Sequence, residues 1–203
     1  MRHWEDRYGS TDDAVWSGRV NATVAAVAAD LVPGRAVDLG CGEGGDVVWL
    51  AGRGWTVTGV DISGTAIGRG QLAAERAGVA AEVSWVVADL ETWSGIGPVD
   101  LVAASFLHST VHLDRTTILN RATDWIVPGG HLLIVAHAAP PPWASPEHVR
   151  HFSALTPQEE ADQLALAERD WSVEIAETRE RTAWSPEGDE ATLLDGVLLL
   201  RRR

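Results

Sequence analysis

The segment from Arg35 to Gly45 constrains the fold more than any other part of the chain. It reads Arg-Ala-Val-Asp-Leu and continues as Gly-Cys-Gly-Glu-Gly-Gly. A short apolar run bounded by turn residues is typical of a strand buried on both faces, and glycines let the backbone turn tightly and approach a ligand closely. Apolar residues at helical spacing follow over residues 47–51. The segment therefore predicts a strand, a ligand-binding loop and a helix, in that order.

Further apolar runs predict six more strands, and the intervals at 72–77 and 118–126 have helical spacing. The runs are Thr56–Val60, Val83–Val87, Val99–Ala104, Leu132–Ala136, Val173–Arg179 and Gly196–Leu200. Strands that alternate with helices indicate a parallel sheet with right-handed crossovers. The last two runs are joined by a short polar loop, which fits a hairpin and an antiparallel final strand. We expect a single-domain, Rossmann-like α/β fold with a seven-stranded, mostly parallel sheet.

The length of 203 residues fits one domain. Within it we predict an N-terminal helical lid over residues 1–30, a ligand-binding core over 35–137, and a substrate loop with the C-terminal hairpin over 138–203. The proline-rich loop at 138–152 is expected to wall a small, partly apolar pocket. No apolar run reaches the roughly 18 residues that span a bilayer, and the polar N-terminus has no signal-peptide pattern. With a single cysteine, Cys41, these features favour a cytoplasmic protein without membrane contact.

The formal net charge of -13 argues against nucleic acid as a partner. A protein that neutralises many phosphates needs clustered positive charge, and the one basic cluster here is Arg201–Arg203 at the C-terminus. A solvated strand end explains that cluster. The sequence leaves the oligomeric state open.

Two acidic residues extend the ligand-binding pattern. Asp61 ends the second predicted strand, where a carboxylate can accept hydrogen bonds from both hydroxyls of a ribose, and Asp89 follows the strand at 83–87. Gly40, Gly42 and Gly45 also fit the G-x-G-x-x-G pattern of dinucleotide-binding proteins, so an NAD-dependent oxidoreductase is an alternative. Asp38 inside the loop motif and Asp89 favour a different adenosine ligand.

Five segments in series carry a resemblance to a known family. They are Ala36–Gly44, Gly59–Ser63, Ala88–Leu90, Val99–Val102 and Pro128–Leu133. In this order and at these intervals they resemble the motifs of class I S-adenosylmethionine (SAM)-dependent methyltransferases. The resemblance runs from about residue 35 to 137. It implies a methyltransferase fold, SAM as cofactor and S-adenosylhomocysteine as product.

The resemblance also implies roles for individual residues. Asp38 and the loop Gly40, Cys41, Gly42 and Gly44 would hold the methionine part of SAM. Asp61 would bind the ribose hydroxyls, and Ile62 would pack on the adenine. Asp89 and Leu90 would bind the edge and face of the adenine. Ser105 would lie near the methionine portion.

The segment before the first strand is rich in aromatic residues and arginines. Aromatic rings such as Trp16 can stack against a sulfonium, and Arg19 or Arg7 can pair with the carboxylate of SAM or of an acceptor. Plain packing of an N-terminal helix is the alternative for these aromatic residues. Trp4-Glu-Asp-Arg-Tyr8 followed by Trp16-Ser-Gly18 is similar to the branch that includes thiopurine, tellurite-resistance and halide methyltransferases. This similarity implies a soft nucleophile such as sulfur, selenium, tellurium or halide as acceptor.

His108 is the best candidate for a catalytic residue. It follows the fourth strand, and the unperturbed pKa of histidine suits proton removal near neutral pH. A histidine that only lines the pocket is the alternative. No third ligand accompanies His108 and His112 at a recognisable spacing, so we expect no metal. The favoured function is methyl transfer from SAM to a small molecule, at a soft nucleophile rather than oxygen or nitrogen. A non-catalytic SAM-binding module is a further alternative.

Overall fold

A computed structural model of the chain describes residues 2–11, 13–109, 111–164, 166–167, 170–185 and 187–203. Strands and helices alternate through most of it. The strands are β1 (Arg35–Leu39), β2 (Thr56–Asp61), β3 (Val83–Val87), β4 (Val99–Ser105), β5 (Ile126–His137), β6 (Trp171–Trp184) and β7 (Glu190–Arg202). The helices are α1 (Arg2–Gly9), α2 (Ala22–Ala28), α3 (Gly45–Ala51), α4 (Gly64–Ala77), α5 (Arg115–Thr123), α6 (Pro146–His151) and α7 (Pro157–Gln163).

The seven strands form one sheet in the order β3-β2-β1-β4-β5-β7-β6. The pairs among β1 to β5 are parallel, whereas β7 runs antiparallel to both β5 and β6. The predicted fold class, with six strands in one direction and an antiparallel last strand, is confirmed. The strand order reverses between β1 and β4, and ligands of open α/β sheets bind at the carboxyl ends of the strands at such a switch point.

Several predicted boundaries were wrong. The helix predicted over 118–126 begins earlier and ends at Thr123, because Asp114 caps it and Ile126 already belongs to β5. The strand predicted over 132–136 begins earlier, at Ile126, and contains Pro128-Gly-Gly, where its register with β4 shifts. The loop predicted over 138–152 contains the short helix α6. Both hairpin strands are longer than their apolar runs, because cross-strand pairing extends them through polar residues.

Helices cover both faces of the sheet. One core lies between the sheet and α2 with α3, and the other lies between the sheet and α5 with the α7 region. Strands β1, β2 and β4 are buried on both faces along most of their length, which explains why their sequences are continuous apolar runs, whereas β3 is partly exposed.

The indole of Trp85 on β3 packs against three glycines that belong to three elements. A Cβ added at Gly44, Gly59 or Gly70 would lie 2.4, 3.0 or 2.6 Å from an atom of this ring. The ligand loop, β2 and α4 are therefore held together through one aromatic side chain. These glycines are explained by close packing as well as by backbone conformation.

Two glycines of α4 give a matched test of this packing. Gly68→Ala has open space around the new Cβ. It should raise the free energy of unfolding by about 0.5–1 kcal/mol, the helix preference of alanine over glycine. Gly70→Ala should lower it, because overpacking against a rigid ring costs about 1–3 kcal/mol. Urea denaturation measures both, and stabilisation by Gly70→Ala would contradict the packing described for Trp85.

Candidate functional site

The glycine loop lies at the carboxyl end of β1, beside the switch point of the sheet. The backbone N–H groups of Gly40 and Cys41 donate to the carbonyl oxygen of Val60 at 2.8 and 3.0 Å. Gly40, Gly42 and Gly44 all have positive φ angles, which other residues adopt only with strain. The loop is thus fixed to β2 by hydrogen bonds. Its backbone conformation requires glycine at positions 40, 42 and 44.

Asp61 joins the loop to the start of α4. Its Oδ2 accepts from the N–H of Gly42 and its Oδ1 accepts from the N–H of Ser63, both at 2.9 Å. Each oxygen keeps lone-pair capacity for a further donor. Ser63 caps α4 by accepting from the N–H of Ala66, so Asp61 is not the helix cap. Burial raises the pKa of Asp61, and the bonds from Ser63 and Gly42 oppose that shift.

Two more buried carboxylates lie around the same loop. Asp38 is at the end of β1 and Asp46 is in the first turn of α3. Burial and the charges of Asp46 and Asp61 raise the pKa of Asp38 well above its usual range. Burial also raises the pKa of Asp46, whose carboxylate is bonded by the N–H of Asn21 and by the hydroxyl of Ser105. No salt bridge to any of these three carboxylates occurs among the described residues, so a cationic ligand would be favoured here.

The segment before β1 lies against the loop. The buried carboxylate of Glu43 accepts from the N–H groups of Val15 and Trp16 and forms a 2.7 Å ion pair with Arg69 of α4. Arg69 in turn donates to the carbonyl oxygens of Tyr8 and Thr11. The N-terminal segment is thereby tied to both the loop and α4.

Helix α1 spans the carboxyl ends of several strands. Glu5 accepts from the hydroxyls of Ser63 and Thr65 after β2, and the indole of Trp4 donates to Ser109 after β4. The hydroxyl of Tyr8 accepts from the indole of Trp16 and lies 2.9 Å from the position of a Cβ on Gly42. Burial raises the pKa of Tyr8 to about 12, so it keeps its proton at neutral pH.

The remaining predicted ligand-binding residues lie around this centre. Trp16 is half-exposed beside Gly42, whereas the side chain of Arg19 is exposed and its carbonyl oxygen packs against Gly45. Ile62 is half-buried between Asp61 and Ser63. The carboxylate of Asp89 accepts from the N–H of Glu91 in a local turn, and Leu90 belongs to the core with little surface left for a ligand. Burial raises the pKa of the Cys41 thiol well above its usual range, which makes it unreactive.

A second group of side chains lies at the same sheet edge, after β4 and β5. Phe106 follows β4 with a φ of 49°, and its ring contacts that of His137 at a centroid distance of 4.3 Å. The ring of His108 lies 6.3 Å from that of His137. Although His108 is exposed, the protein around its ring desolvates the imidazolium. This effect and the charges of Arg115 and His137 lower its pKa to about 4. His108 is therefore a neutral imidazole at pH 7.

Residues 36–130 match the family described as methyltransferase domain. The match contains β1 to β4, the glycine loop and the start of β5.

Two curated relatives of the methyltransferase domain align with about half of the chain. One is the ribosomal RNA small subunit methyltransferase C of Alcanivorax borkumensis, 37% identical over 112 residues, which cover 52% of this chain and 33% of that protein. The other is the trans-aconitate 2-methyltransferase of an Azoarcus species, 32% identical over 124 residues, which cover 54% of this chain and 46% of that protein. The chain thus spans less than half the length of either relative.

Solved structures resemble nearly the whole chain. A structure from work on the conversion of a disulfide bond into a thioacetal group during echinomycin biosynthesis has a TM-score of 0.71 at 23% identity, covering 98% of this chain and 90% of that chain. TehB from Haemophilus influenzae has a TM-score of 0.68 at 19% identity, covering 98% and 67%. At these identities the likeness shows the fold.

Several residues of the site were missed by sequence reasoning. Asp46 reads as an ordinary acidic residue in the first turn of a helix, and its burial is set by tertiary contacts with Asn21 and Ser105. The partnership of Glu43 with Arg69 joins residues 26 positions apart. The sequence did contain one signal for this pair. Glu43 lies inside the glycine loop, and an acidic side chain in a buried loop needs a partner.

In the described part of the chain, no cluster of three or more histidine, cysteine or acidic side chains is arranged to hold a metal ion. The helices among the described residues are also too short or too polar to cross a bilayer.

Asp46→Asn tests whether the buried charges serve a ligand. A carboxyl group whose pKa is raised by folding holds its proton more tightly in the folded chain, so it costs stability at neutral pH, and this cost disappears as the pH falls below the raised pKa. The amide can still accept from Asn21. We expect the cofactor-free variant to melt about 2–4 °C higher at pH 7, with little change in acid, and to bind SAM more weakly. Calorimetry of the wild-type protein and of Asp46→Asn measures the melting temperature and the SAM affinity. A lower melting temperature of the variant with unchanged SAM affinity would contradict a ligand role for these carboxylates.

Proposed function

We propose that this chain transfers a methyl group from SAM to a small-molecule acceptor. The observation that carries the proposal is the set of three buried carboxylates, Asp38, Asp46 and Asp61, around a glycine loop at the switch point. SAM carries a sulfonium and an ammonium group, and both favour an environment of buried negative charge. When bound, SAM supplies an activated methyl group, so the protein acts mainly by aligning the acceptor with it.

The residues present fit this cofactor. Gly42 has a positive φ, and its close approach to the Tyr8 hydroxyl means that a larger residue would fill the cradle. Asp61 can accept from the ribose hydroxyls with its remaining lone pairs, while Asp38, Asp46 and Ser105 would lie toward the methionine part. Ile62 and Asp89 would contact the adenine, whereas Leu90 is buried and would support the adenine site from the core. Trp16, Arg19 and the Tyr8 hydroxyl would close the site from the N-terminal side, in the role proposed for the lid over residues 1–30.

The same charges argue against the NAD-dependent alternative. A dinucleotide places its pyrophosphate against the glycine loop and the following helix. In this chain Asp46 is buried in the first turn of that helix, and Asp38 and Asp61 flank the loop. Negative charge at this point repels a pyrophosphate.

A small molecule is the acceptor class that we favour. The net charge of -13 disfavours a nucleic acid acceptor, although one relative is named for ribosomal RNA and the other for a small organic acid. Within the small molecules we favour a soft nucleophile, sulfur above all. The pattern of Trp4, Tyr8 and Trp16 supports this choice, as does the low pKa of His108, which makes its imidazole a weak base for a hydroxyl acceptor.

Turnover with a panel of acceptors tests the proposal. Wild-type protein with methyl-labelled SAM should release S-adenosylhomocysteine only when a thiol, iodide or phenol is added, and the label should appear on that acceptor. Binding of SAM with no transfer to any of them would favour the non-catalytic module.

The His108→Ala variant separates two roles of this residue. As a neutral pocket residue His108 should affect mainly KM, and the rate with a thiol at about pH 8 should change little. A general base for a hydroxyl would instead cost roughly 10²- to 10⁴-fold in kcat when removed. Steady-state kinetics with a thiol and a phenol measure both parameters. A large loss of kcat with the thiol would contradict the soft-nucleophile proposal.

A further inference from the structure

The acceptor side of the sheet edge contains a buried carboxylate with several partners. Asp195 on β7 is fully buried and lies opposite His137 in the register of β5 with β7. Its Oδ2 accepts from the Nε of Arg181 at 2.7 Å and from the hydroxyl of Thr23 at 2.9 Å, and its Oδ1 accepts from the Nη2 of Arg181 at 3.3 Å. Elements that are distant in sequence thus converge on one carboxylate. Burying a carboxylate is costly unless its hydrogen bonds are nearly complete. The partners of Asp195 offset this cost and fix the carboxylate at the edge of the sheet beside His137.

His137 connects this carboxylate to the cleft. Its Nδ1 is 3.9 Å from Oδ1 of Asp195, and about a third of its side chain (35%) is exposed. The ring of Phe106 packs on the ring of His137. The guanidinium of Arg181 lies over the ring of Phe106, 5.6 Å from its centroid. The strained backbone of Phe106 directs this ring against His137 directly after the strand that ends at Ser105. The imidazole of His137 therefore lies between the ring of Phe106 and the buried carboxylate of Asp195.

The two histidines of this edge differ in what surrounds them. A carboxylate beside an imidazole fixes its orientation and tautomer and stabilises the imidazolium that forms when it takes a proton. His137 has Asp195 as this neighbour. His108 has the positive groups of Arg115 and His137 near it instead. Of the two rings, His137 is the one suited to receive a proton.

We propose that His137 takes the proton of a protic acceptor, a thiol or hydroxyl, during methyl transfer, with Asp195 as its positioning residue. This inference rests on the proposed function and narrows its acceptor class. The proton of the acceptor moves to Nε2 of His137 while its sulfur or oxygen forms a bond to the methyl carbon. The bond between that carbon and the sulfonium breaks, and its electron pair remains on the sulfur of S-adenosylhomocysteine. His137 then releases the proton to water.

The first test needs no acceptor. Long-range proton–nitrogen NMR spectra of histidine-labelled protein report which ring nitrogen carries the proton, and the His137→Gln variant assigns the signals. We expect the proton of the neutral ring on Nδ1, toward Asp195, and a changed tautomer ratio in Asp195→Asn. A wild-type ring protonated on Nε2 would overturn the proposal, whatever the activity of the chain.

The second test compares an acceptor that carries a proton with one that has none. His137→Gln should lower the rate with 2-mercaptoethanol by about 10²-fold or more and leave the rate with iodide unchanged. Among the described residues, Asp195 lies 3.9 Å from Nδ1 of His137 and the ring of His108 lies 6.3 Å from its ring, and both remain in this variant. His112→Gln, an exposed histidine outside the site, should change neither rate.

The outcomes separate this inference from the proposed function. Equal losses with both acceptors, or a loss confined to KM, would give His137 a structural role and overturn the inference. Transfer to iodide but to no protic acceptor would overturn it as well. SAM binding without transfer to either would reject the proposed function, and the inference with it, and the NMR result would still show whether Asp195 orients His137. Calorimetry with SAM checks that each variant keeps its cofactor site.

Discussion

The hydrogen bonds of Asp61 hold the functional edge of this molecule together. One oxygen fixes the glycine loop after β1 and the other fixes the turn into α4, so a single buried carboxylate sets the distance between two neighbouring strand ends. Glu5 binds the same turn at Ser63 and Thr65, which places α1 over the cleft. Because Asp61 is already engaged by the backbone, any ligand that it binds meets a carboxylate whose position is determined before binding. Such preorganisation reduces the cost of ordering the site when the ligand arrives.

Burial of several carboxyl groups at one place is expensive, and no cation pairs with Asp38, Asp46 or Asp61 among the described residues. Charge that costs stability in the free protein and becomes favourable on binding is a common property of functional sites. It also gives the site selectivity, because a cationic adenosine compound gains where a pyrophosphate is repelled. The Glu43–Arg69 pair has a different role, since both partners are present and their bonds fix the N-terminal segment to the loop.

The parts that could be predicted from the sequence are those set by local pattern. Strands β1, β2 and β4 are largely buried on both faces and flanked by turns, so apolar runs locate them well. The positive φ angles of the loop after β1 require its glycines. The hairpin was predictable from the absence of a helix between its strands, but its length was not, because pairing continues through polar residues such as Glu180. The predicted end of the helix at Ile126 was wrong, because this apolar residue lies at a helical interval but is the first residue of β5.

The candidate site divides in the same way. Asp38, Asp61 and the glycines lie inside or directly after strands, so topology brings them together. The hydrogen bonds of Asp46, Arg69 and Asp195 involve partners 14 to 172 residues away in the sequence. No local sequence pattern predicts those contacts. His108 illustrates the limit best, because its position at the sheet edge was predictable whereas its pKa depends on Arg115 and His137.

The central claim is that the buried carboxylates and the glycine loop bind a cationic adenosine cofactor. Calorimetric titration of the wild-type chain and of Asp61→Ala with SAM, S-adenosylhomocysteine and NADH tests it most directly. The account predicts micromolar binding of the two sulfur compounds to the wild type, loss of both in the variant and no binding of NADH. Binding of NADH without binding of SAM would contradict it and would move the function to hydride transfer.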